Sequence, residues 1–426
     1  MSRQFDEQRG SGNRSALRRL MSIEARTFAD EHWGLAPLLT RREDLSSTFE
    51  DLLSVDAVDE LVSERGVRTP FARMAKNGSL TARENFTDSG GFGAEVTDQL
   101  DSAGILAAFA DGHTLVLQGL HRLWPPLIHF AGELVRDLGH PVQVNSYITP
   151  ASSRGFDPHY DVHDVFVLQI SGEKRWILHP PVHQHPLSHQ PWSDRKDDVA
   201  AMARTTPTID TVLREGDSLY VPRGWIHSAQ ALGDTSIHLT VGMSAFTRYD
   251  LLHHLVSTFA EDARFRSPLP VGIDLTDADA VAPHVRALLA DLVSALDEND
   301  APVNREHAVA DRVGRRFTEV TRPAPVRPLA TIGSMAALSA NSVVGWRPGL
   351  HARIVDADDA VTVTTRTKSV RLPAVCASAV HQLHSGKDCV VGELSGLDTD
   401  DALVVVRRLL REGIVVPRSS PVPPTD

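Results

Sequence analysis

The sequence predicts an α+β protein in which a small β-barrel or sandwich precedes a helical block and a second, mixed module. Between residues 142 and 246 the runs VQVNSYITP, HDVFVLQI, RWILH, DSLYVP and SIHLTVGMSAF are short and rich in β-branched and aromatic residues. Gly, Pro, Asp and Ser separate them, as in closed all-β architectures. Residues 249–320 switch to apolar positions three and four apart, the helical period, in YDLLHHLVSTFAEDARF, HVRALLADLVSALDE and REHAVADRVGRRFTEV. From 346 to 417 two strand-like runs, HARIV and AVTVTT, precede helical runs that end in IVVP, the pattern of a winged-helix-like module.

A chain of 426 residues is too long for one hydrophobic core, so two or three domains are expected. Apolar residues at 42% and charged residues at 23% fit an ordinary globular protein. The net charge of −12 argues against a dedicated nucleic-acid binder and leaves room for a basic protein or peptide partner. No apolar run approaches the ~20 residues of a membrane span, and MSRQFDEQRGSGNRSALRRL lacks a signal-peptide core. The two cysteines, Cys376 and Cys389, cannot form a disulfide framework, so a reducing cytoplasm is the simplest compartment.

In chain order, residues 1–20 are polar and expected to be poorly ordered, and Leu17 to Glu31 carries a helical pattern. WGLAPLLT leads into a strand, and residues 44–65 place helix-start residues before helically spaced apolar ones. TLVLQGL (114–120) reads as a buried strand. LWPPLIHFAGELVRDLG (123–139) reads as a helix with proline at its start and glycine past its end. TRPAPVRPL is a linker, and the tail SSPVPPTD is expected to be loose.

The chemistry concentrates in DPHYDVHDVFVLQISGEKRW (157–176) and DSLYVPRGWIHSAQ (217–230). His159 and Asp161 are one residue apart, which on an extended strand turns both side chains to one face. His227, after the VPRGW loop, is the candidate third ligand. Two histidines and one carboxylate on one face of a metal suit non-haem Fe(II) and leave positions open for cosubstrate and oxygen. An isolated H-x-D is common, and twenty histidines make accidental pairs easy. His163, His179, His183, His185 and His189 are nearby decoys, most of them expected to be exposed or capping. Strand context and company raise this pair above chance.

Lys174 follows the presumed turn SG on the strand EKRWIL, sharing a face with Trp176 and Leu178, while Glu173 and Arg175 point outward. A cation there could receive the far carboxylate of 2-oxoglutarate, which is costly to bury unpaired. On its own, a lysine beside a turn is usually solvated. Asn145, Tyr147 and Thr149 alternate along VNSYIT, so they line one face of the preceding strand and could border a cosubstrate pocket. A half-buried strand with a wet face is the plainer reading of that row.

The run NSYITPASSRGFDPHYDVHDVFVLQISGEKRW, with VPRGWIHSAQ and SIHLTVG, resembles the JmjC-type ribosomal oxygenases, collinearly from about Phe28 to Phe246. The resemblance implies a double-stranded β-helix (jelly-roll, cupin) core, a helical dimerisation region and a C-terminal winged-helix-like domain. It implies an N-terminal extension at 1–27, an oxygenase domain at 28–248, a helical region at 249–328 and a final domain at 329–426. It implies Fe(II) held by His159, Asp161 and His227, and 2-oxoglutarate held by Lys174 with Asn145 and Tyr147. The implied activity is hydroxylation of a protein or peptide side chain, such as that of a ribosomal protein, using O2, by a homodimer. One departure stands out: family members often carry a small hydroxyl residue late in the strand after the second histidine. The matching position here is Gly242, with Thr240 nearby.

Two weaker signals remain. Cys376, His381, His384 and Cys389 could be written as zinc ligands, but their spacing is not that of paired structural ligands, and ordinary thiols are the better reading. Acids balance bases in TDDALVVVRRLLRE, so the C-terminal module is read as structural or substrate-docking, with no direct DNA contact. The rival functions are a hydroxylase of a small molecule or natural product, a methyl-lysine demethylase, and a non-catalytic cupin-fold metal-binding protein.

Overall fold

The chain builds its centre from two unusually long strands that bend, and everything in the site hangs from them. The computed structural model describes residues 15–76, 78–151, 153, 157–297 and 304–418. The expectations for most of residues 1–20 and for the SSPVPPTD tail therefore lie outside the described residues.

Ahead of the barrel come β1 (Leu38–Thr40), α1 (Val55–Ser63), β2 (Ala72–Lys76), β3 (Ser79–Leu80) and β4 (Thr114–Leu117). Then follow α2 (Pro125–Leu138), β5 (Val142–Thr149), β6 (Asp164–His179), β7 (Ile209–Leu213), β8 (Ser218–Val221) and β9 (Ile226–Met243). The β-strands join one sheet in the order β1-β8-β6-β9-β5-β4-β2-β3, with β7 also paired to β6. β9 pairs along β6 for most of its length, and its second half also pairs with β5, Ser236 opposite Thr149 through Met243 opposite Val142. All of these ladders are antiparallel, and their apolar faces close on a core that includes Leu117, Val144, Phe166, Leu168, Leu239 and Val241.

The structure corrects several boundaries. The SG dipeptide is not a turn between two strands: Ser171 and Gly172 lie inside the sixteen-residue β6. Gly172 has φ +65°, and a Cβ there would run into the Thr235 carbonyl. It sits where the register of β9 shifts between Leu232 and Ile237, so glycine makes a bulge that lets two short strands read as one. In the same way, VPRGWIHSAQ and SIHLTVG merge into β9. β7 has no counterpart among the strands read from sequence.

The helical pattern of Leu17–Glu31 is broken into Ser15–Arg18, Ala25–Thr27 and a wide turn at Phe28–His32, because Glu24 is extended (ψ 144°). Over 44–65 the long helix begins only at Ser54, whose hydroxyl accepts from Ala57 N at 3.1 Å. Upstream, Phe49, Leu52 and Leu53 reach the core from turns instead. α2 runs as read, with Pro125 at its start and Gly139 at φ 72° past its end.

Beyond the barrel lie α3 (Arg248–Thr258), α4 (Ala278–Asp297), α5 (Arg305–Val320) and α6 (Pro328–Ala336), the last starting inside the presumed linker. The C-terminal part has β10 (Val343–Trp346), β11 (Arg353–Ala357), β12 (Ala360–Thr364), β13 (Ser369–Pro373), α7 (Ala377–His384), β14 (Cys389–Val390), α8 (Thr399–Arg411) and β15 (Val415–Pro417). Its core is its own, centred on Val361, Ala379, Leu383, Val406, Leu409 and Ile414. Cys376 and Cys389 are buried in that core. His381 faces Asp356 and His384 packs edge-on to Trp346, so the four residues written as zinc ligands are not gathered. No helix among the described residues is long and apolar enough to cross a membrane.

Candidate metal and cosubstrate site

The H-x-D segment is brought to β9 by a single antiparallel bridge. His159 N donates to His227 O (3.1 Å), and His227 N donates to His159 O (2.8 Å). The loop before His227 needs its glycine: Gly224 has φ +87°, its N–H donates to Asp161 O at 3.0 Å, and a Cβ there would press on the His183 carbonyl. Behind this loop Arg223 pairs with the buried Asp164 (3.3 Å), which also accepts from Tyr220 Oη at 2.8 Å. The main chain thus fixes all three candidate ligands.

One donor atom from each of His159, Asp161 and His227 lies within 4.8 Å of the others, the only such group of histidine, cysteine and carboxylate side chains among the described residues. His227 Nε2 is 3.8 Å from Asp161 Oδ2. The Nδ1 of His159 faces Asp157 O at 2.7 Å, and that of His227 faces Trp225 O at 3.1 Å. Those carbonyls favour the Nδ1–H tautomer and leave each Nε2 as the ligating nitrogen, a common outer-shell arrangement at metal centres. Burial, then the neighbouring His159, pulls His227 down to about 4, so it is neutral near pH 7. Burial alone would raise the Asp161 carboxyl, but the imidazoles of His163, His227 and His159 together hold it below its ordinary value. Two imidazoles and one carboxylate are the donor set that Fe(II) takes in facial triads.

The nearby histidines have other positions. His179 Nε2 faces Thr205 O, His183 faces Gln190, and His189 packs near Tyr249. None of His163, His179, His183, His185 or His189 joins a metal-ligating group among the described residues. His163 instead occupies the space over Gly242, where a Cβ would stand 2.8 Å from its ring. Gly242 therefore makes room for His163, and Thr240 turns its hydroxyl toward Asn145 O (3.5 Å).

Deeper in the barrel, Lys174, Trp176 and Leu178 are buried on one face of β6, while Arg175 points outward to Asp210. Lys174 is 3% exposed, and its Nζ donates to Thr149 Oγ1 at 3.0 Å. No carboxylate pairs with it among the described residues. Burial pulls its ammonium down to about 7. Nearby, Trp176 Nε1 and His238 Nδ1 are buried without hydrogen-bond partners among the described residues. A buried cation beside unsatisfied polar atoms is the environment that an incoming carboxylate would complete.

Asn145 and Tyr147 share the face that carries Thr149. Asn145 Oδ1 accepts from Gly119 N at 3.0 Å, which ties it to the turn before α2. Tyr147 stacks on His238 (5.1 Å, 5°), and burial raises its phenol. His238, 3% exposed, was not singled out from sequence; it stands edge-on to Trp176 at 5.6 Å. Burial, then the Lys174 charge, holds its imidazole well below the usual histidine range, and so neutral. Its place opposite Tyr147 on β9 becomes readable only once β5 and β9 are paired.

Two histidines and one carboxylate gathered on an antiparallel β-fold are the arrangement of cupin-type metal oxygenases, and residues 128–251 match the family model of the JmjC domain. The chain is similar to ribosomal oxygenases. Mouse ribosomal oxygenase 2 is 31% identical over 263 residues, covering 58% of this chain and 52% of that protein. Chicken ribosomal oxygenase 1 is 30% identical over 267 residues, covering 60% of this chain and 42% of that protein. The chain therefore spans about half the length of these relatives or less. The Escherichia coli ribosomal oxygenase YcfD superposes with a TM-score of 0.50 at 16% identity, over 93% of this chain and 99% of that one, which establishes the shared fold.

Proposed function

We propose that this protein is an Fe(II)- and 2-oxoglutarate-dependent oxygenase that hydroxylates a side chain of a protein or peptide. The observation that carries the reading is Lys174: a buried ammonium without a carboxylate partner among the described residues, in the barrel that holds the triad. When bound, iron and 2-oxoglutarate would supply oxidation of a substrate C–H bond by O2, with release of succinate and carbon dioxide.

The chain's own work is positioning. His159, Asp161 and His227 would hold the metal through one face and leave the rest of its coordination open. Lys174 and Thr149 would receive the far carboxylate of the cosubstrate, with neutral His238 and Tyr147 packed beside it. The apolar walls built from β6 and β9 would keep water from the reacting atoms.

A ribosomal protein is the leading substrate, since the relatives are named ribosomal oxygenases and a net charge of −12 favours encounter with basic chains. A relative in Drosophila persimilis, 26% identical over 273 residues, is named a bifunctional lysine-specific demethylase and histidyl-hydroxylase. That name makes histidine the first residue to inspect in a product. Succinate release from metal-loaded protein supplied with ribosomal proteins tests the reading. Turnover with small amino acids but none with proteins would move it to a small-molecule hydroxylase.

The proposed organisation keeps an oxygenase domain at 28–248, a helical dimerisation region at 249–328 and a winged-helix-like domain at 329–426. The homodimer is supported by apolar side chains left in water on α3 and α4, among them Leu252, Val256, Leu289, Val293 and Leu296, each more than half exposed. The reducing cytoplasm is the proposed compartment.

A further inference from the structure

A cleft of about 2010 Å³ separates α2, on the outer wall of the barrel, from α5, the 321–327 segment and the C-terminal module. None of His159, Asp161, Lys174 or His227 lines it. Its electrostatics run against the rest of the molecule. The chain carries −12 overall, yet the cleft is lined by eight arginines, no lysine and only three carboxylates. Arg136 pairs with Glu133, and Arg418 with Asp388. Arg122, Arg315, Arg322, Arg327, Arg353 and Arg366 have no carboxylate partner among the described residues.

These arginines come from four separate parts of the chain, so no basic run marks them in the sequence. Arg122 and Arg322 are close enough that the second guanidinium adds to burial in lowering the pKa of the first. His121, beside them, is pulled down to about 4 by burial and then by Arg122, and its Nδ1 accepts from Val144 N at 3.0 Å. Like charges held together without a counter-charge are unfavourable for the isolated protein and favourable once an anion lies between them. Guanidinium forks match phosphate oxygens in pairs, which suits phosphate better than a lysine point charge would.

The floor adds a second feature. Phe246 and Phe317 meet at 6.1 Å, Phe317 and His351 at 5.2 Å, and all three rings line the cleft. Arginines beside partly exposed aromatic faces are the combination that binds single strands, with the backbone held by charge and bases stacked on rings. An acidic peptide would use the arginines and leave the rings idle.

We propose that this cleft binds single-stranded nucleic acid, with phosphates against the unpaired arginines and bases against Phe246 and Phe317. This departs from the sequence-based expectation of no direct DNA contact, which rested on net charge and on the balanced charges of the last helix. It is independent of the metal site, so either proposal can fail without the other.

The test is fluorescence anisotropy of the full chain with end-labelled single strands of uridylate or deoxythymidylate about 20 nucleotides long. Four to six neutralised phosphates, at a slope of about −0.7 each, should weaken binding about 50- to 300-fold between roughly 50 and 200 mM salt. Saturable binding of either strand with that dependence supports the proposal. Arg122→Glu with Arg322→Glu should lose at least about tenfold. Arg353→Glu with Arg366→Glu, on the C-terminal module, should do the same and serves if the first pair misfolds. Phe317→Leu should weaken binding several-fold without changing the salt slope. Absence of saturable binding at low salt overturns the proposal, as does wild-type affinity in both charge-reversed pairs. Equal affinity for oligoglutamate or for a blunt RNA duplex also overturns it, in favour of a generic polyanion surface.

Discussion

Lys174 Nζ donates to Thr149 Oγ1 at 3.0 Å, and this hydroxyl is its hydrogen-bond partner in the described barrel. A lysine in that position costs the protein stability, and in the proposed function an arriving carboxylate would offset that cost. Removing it would leave such a carboxylate buried and unpaired, a loss of roughly 3–5 kcal/mol, or a few-hundred-fold or more in affinity. Lys174→Ala should therefore bind Mn(II) as the wild type does and bind 2-oxoglutarate at least a hundredfold more weakly by calorimetry. Unchanged cosubstrate affinity would place the contact elsewhere. Lys174→Met should be as stable as the wild type at neutral pH, or more so, because the desolvated ammonium is gone.

The same lysine sets a pH dependence. Its ammonium titrates near 7 in the folded protein, against the ordinary 10.5. Below about 7 it is already charged, and cosubstrate affinity should be flat with respect to this group. Above that, binding a carboxylate must also take up a proton, so affinity should fall about tenfold per pH unit. The folding contribution has the opposite sense: the unfolded chain holds the extra proton between 7 and 10.5, so stability from this group rises with pH across that window. Lys174→Arg should remove the affinity slope, since arginine stays charged. A slope that persists in Lys174→Arg would assign it to another group.

His159→Ala and His227→Ala should each abolish tight Mn(II) or Co(II) binding while leaving the thermal transition close to that of the wild type. The triad contributes little to the core: His159 and Asp161 are half-exposed, and their strand bridge is made by main-chain atoms. Wild-type metal affinity in either variant would contradict the assignment of the ligands.

Much of this site was legible because spacing on a strand is a two-residue code. Lys174 with Trp176, and Asn145 with Tyr147 and Thr149, were each placed on common faces from alternation alone, whereas His159 and Asp161 precede β6 in a segment joined to β9 by an isolated bridge, so strand alternation is not what brings them together. What alternation could not convey was how strands continue through irregularities. Gly172 looks like a turn residue in sequence and is a bulge in the middle of β6, because the Thr235 carbonyl fills the place of a side chain. His238 was missed for a related reason: its place opposite Tyr147 depends on β9 pairing with β5, and β9 reaches that pairing only after its register against β6 shifts at Leu232–His238, which no local pattern shows. The broken helix before Phe28 and the late helix start at Ser54 share a cause, since buried side chains there reach the core from turns as well as from helices.

Gly172→Ala tests the bulge. A left-handed conformation costs an ordinary residue about 1–2 kcal/mol, and the clash with Thr235 adds to it, so destabilisation of about 2 kcal/mol or more is expected in urea. Because Lys174 lies two residues on, cosubstrate affinity should fall as well, with metal affinity nearly unchanged. A variant as stable as the wild type would mean that the bulge relaxes freely.

The exposed apolar faces of α3 and α4 make an oligomer measurable. Light scattering at micromolar concentration should give twice the 46.5 kDa chain mass. Leu289→Glu with Leu292→Glu should halve it or unfold the helical region, because obligate interfaces of this kind commonly bury about 2,000 Å² or more and resist charge. A wild-type protein that runs as a monomer would show that these faces serve only their own chain.

The central claim is that triad and lysine together support oxidation of a protein side chain. The most direct measurement is mass spectrometry of ribosomal proteins after incubation with the Fe(II)-loaded protein, 2-oxoglutarate and O2, with succinate followed in the same reaction. The expected result is one substrate gaining about 16 Da, the mass of a single inserted oxygen atom, in step with succinate and lost in His227→Ala. Succinate formed at the wild-type rate by His227→Ala, or no succinate and no mass gain from the iron-loaded wild type, would contradict it.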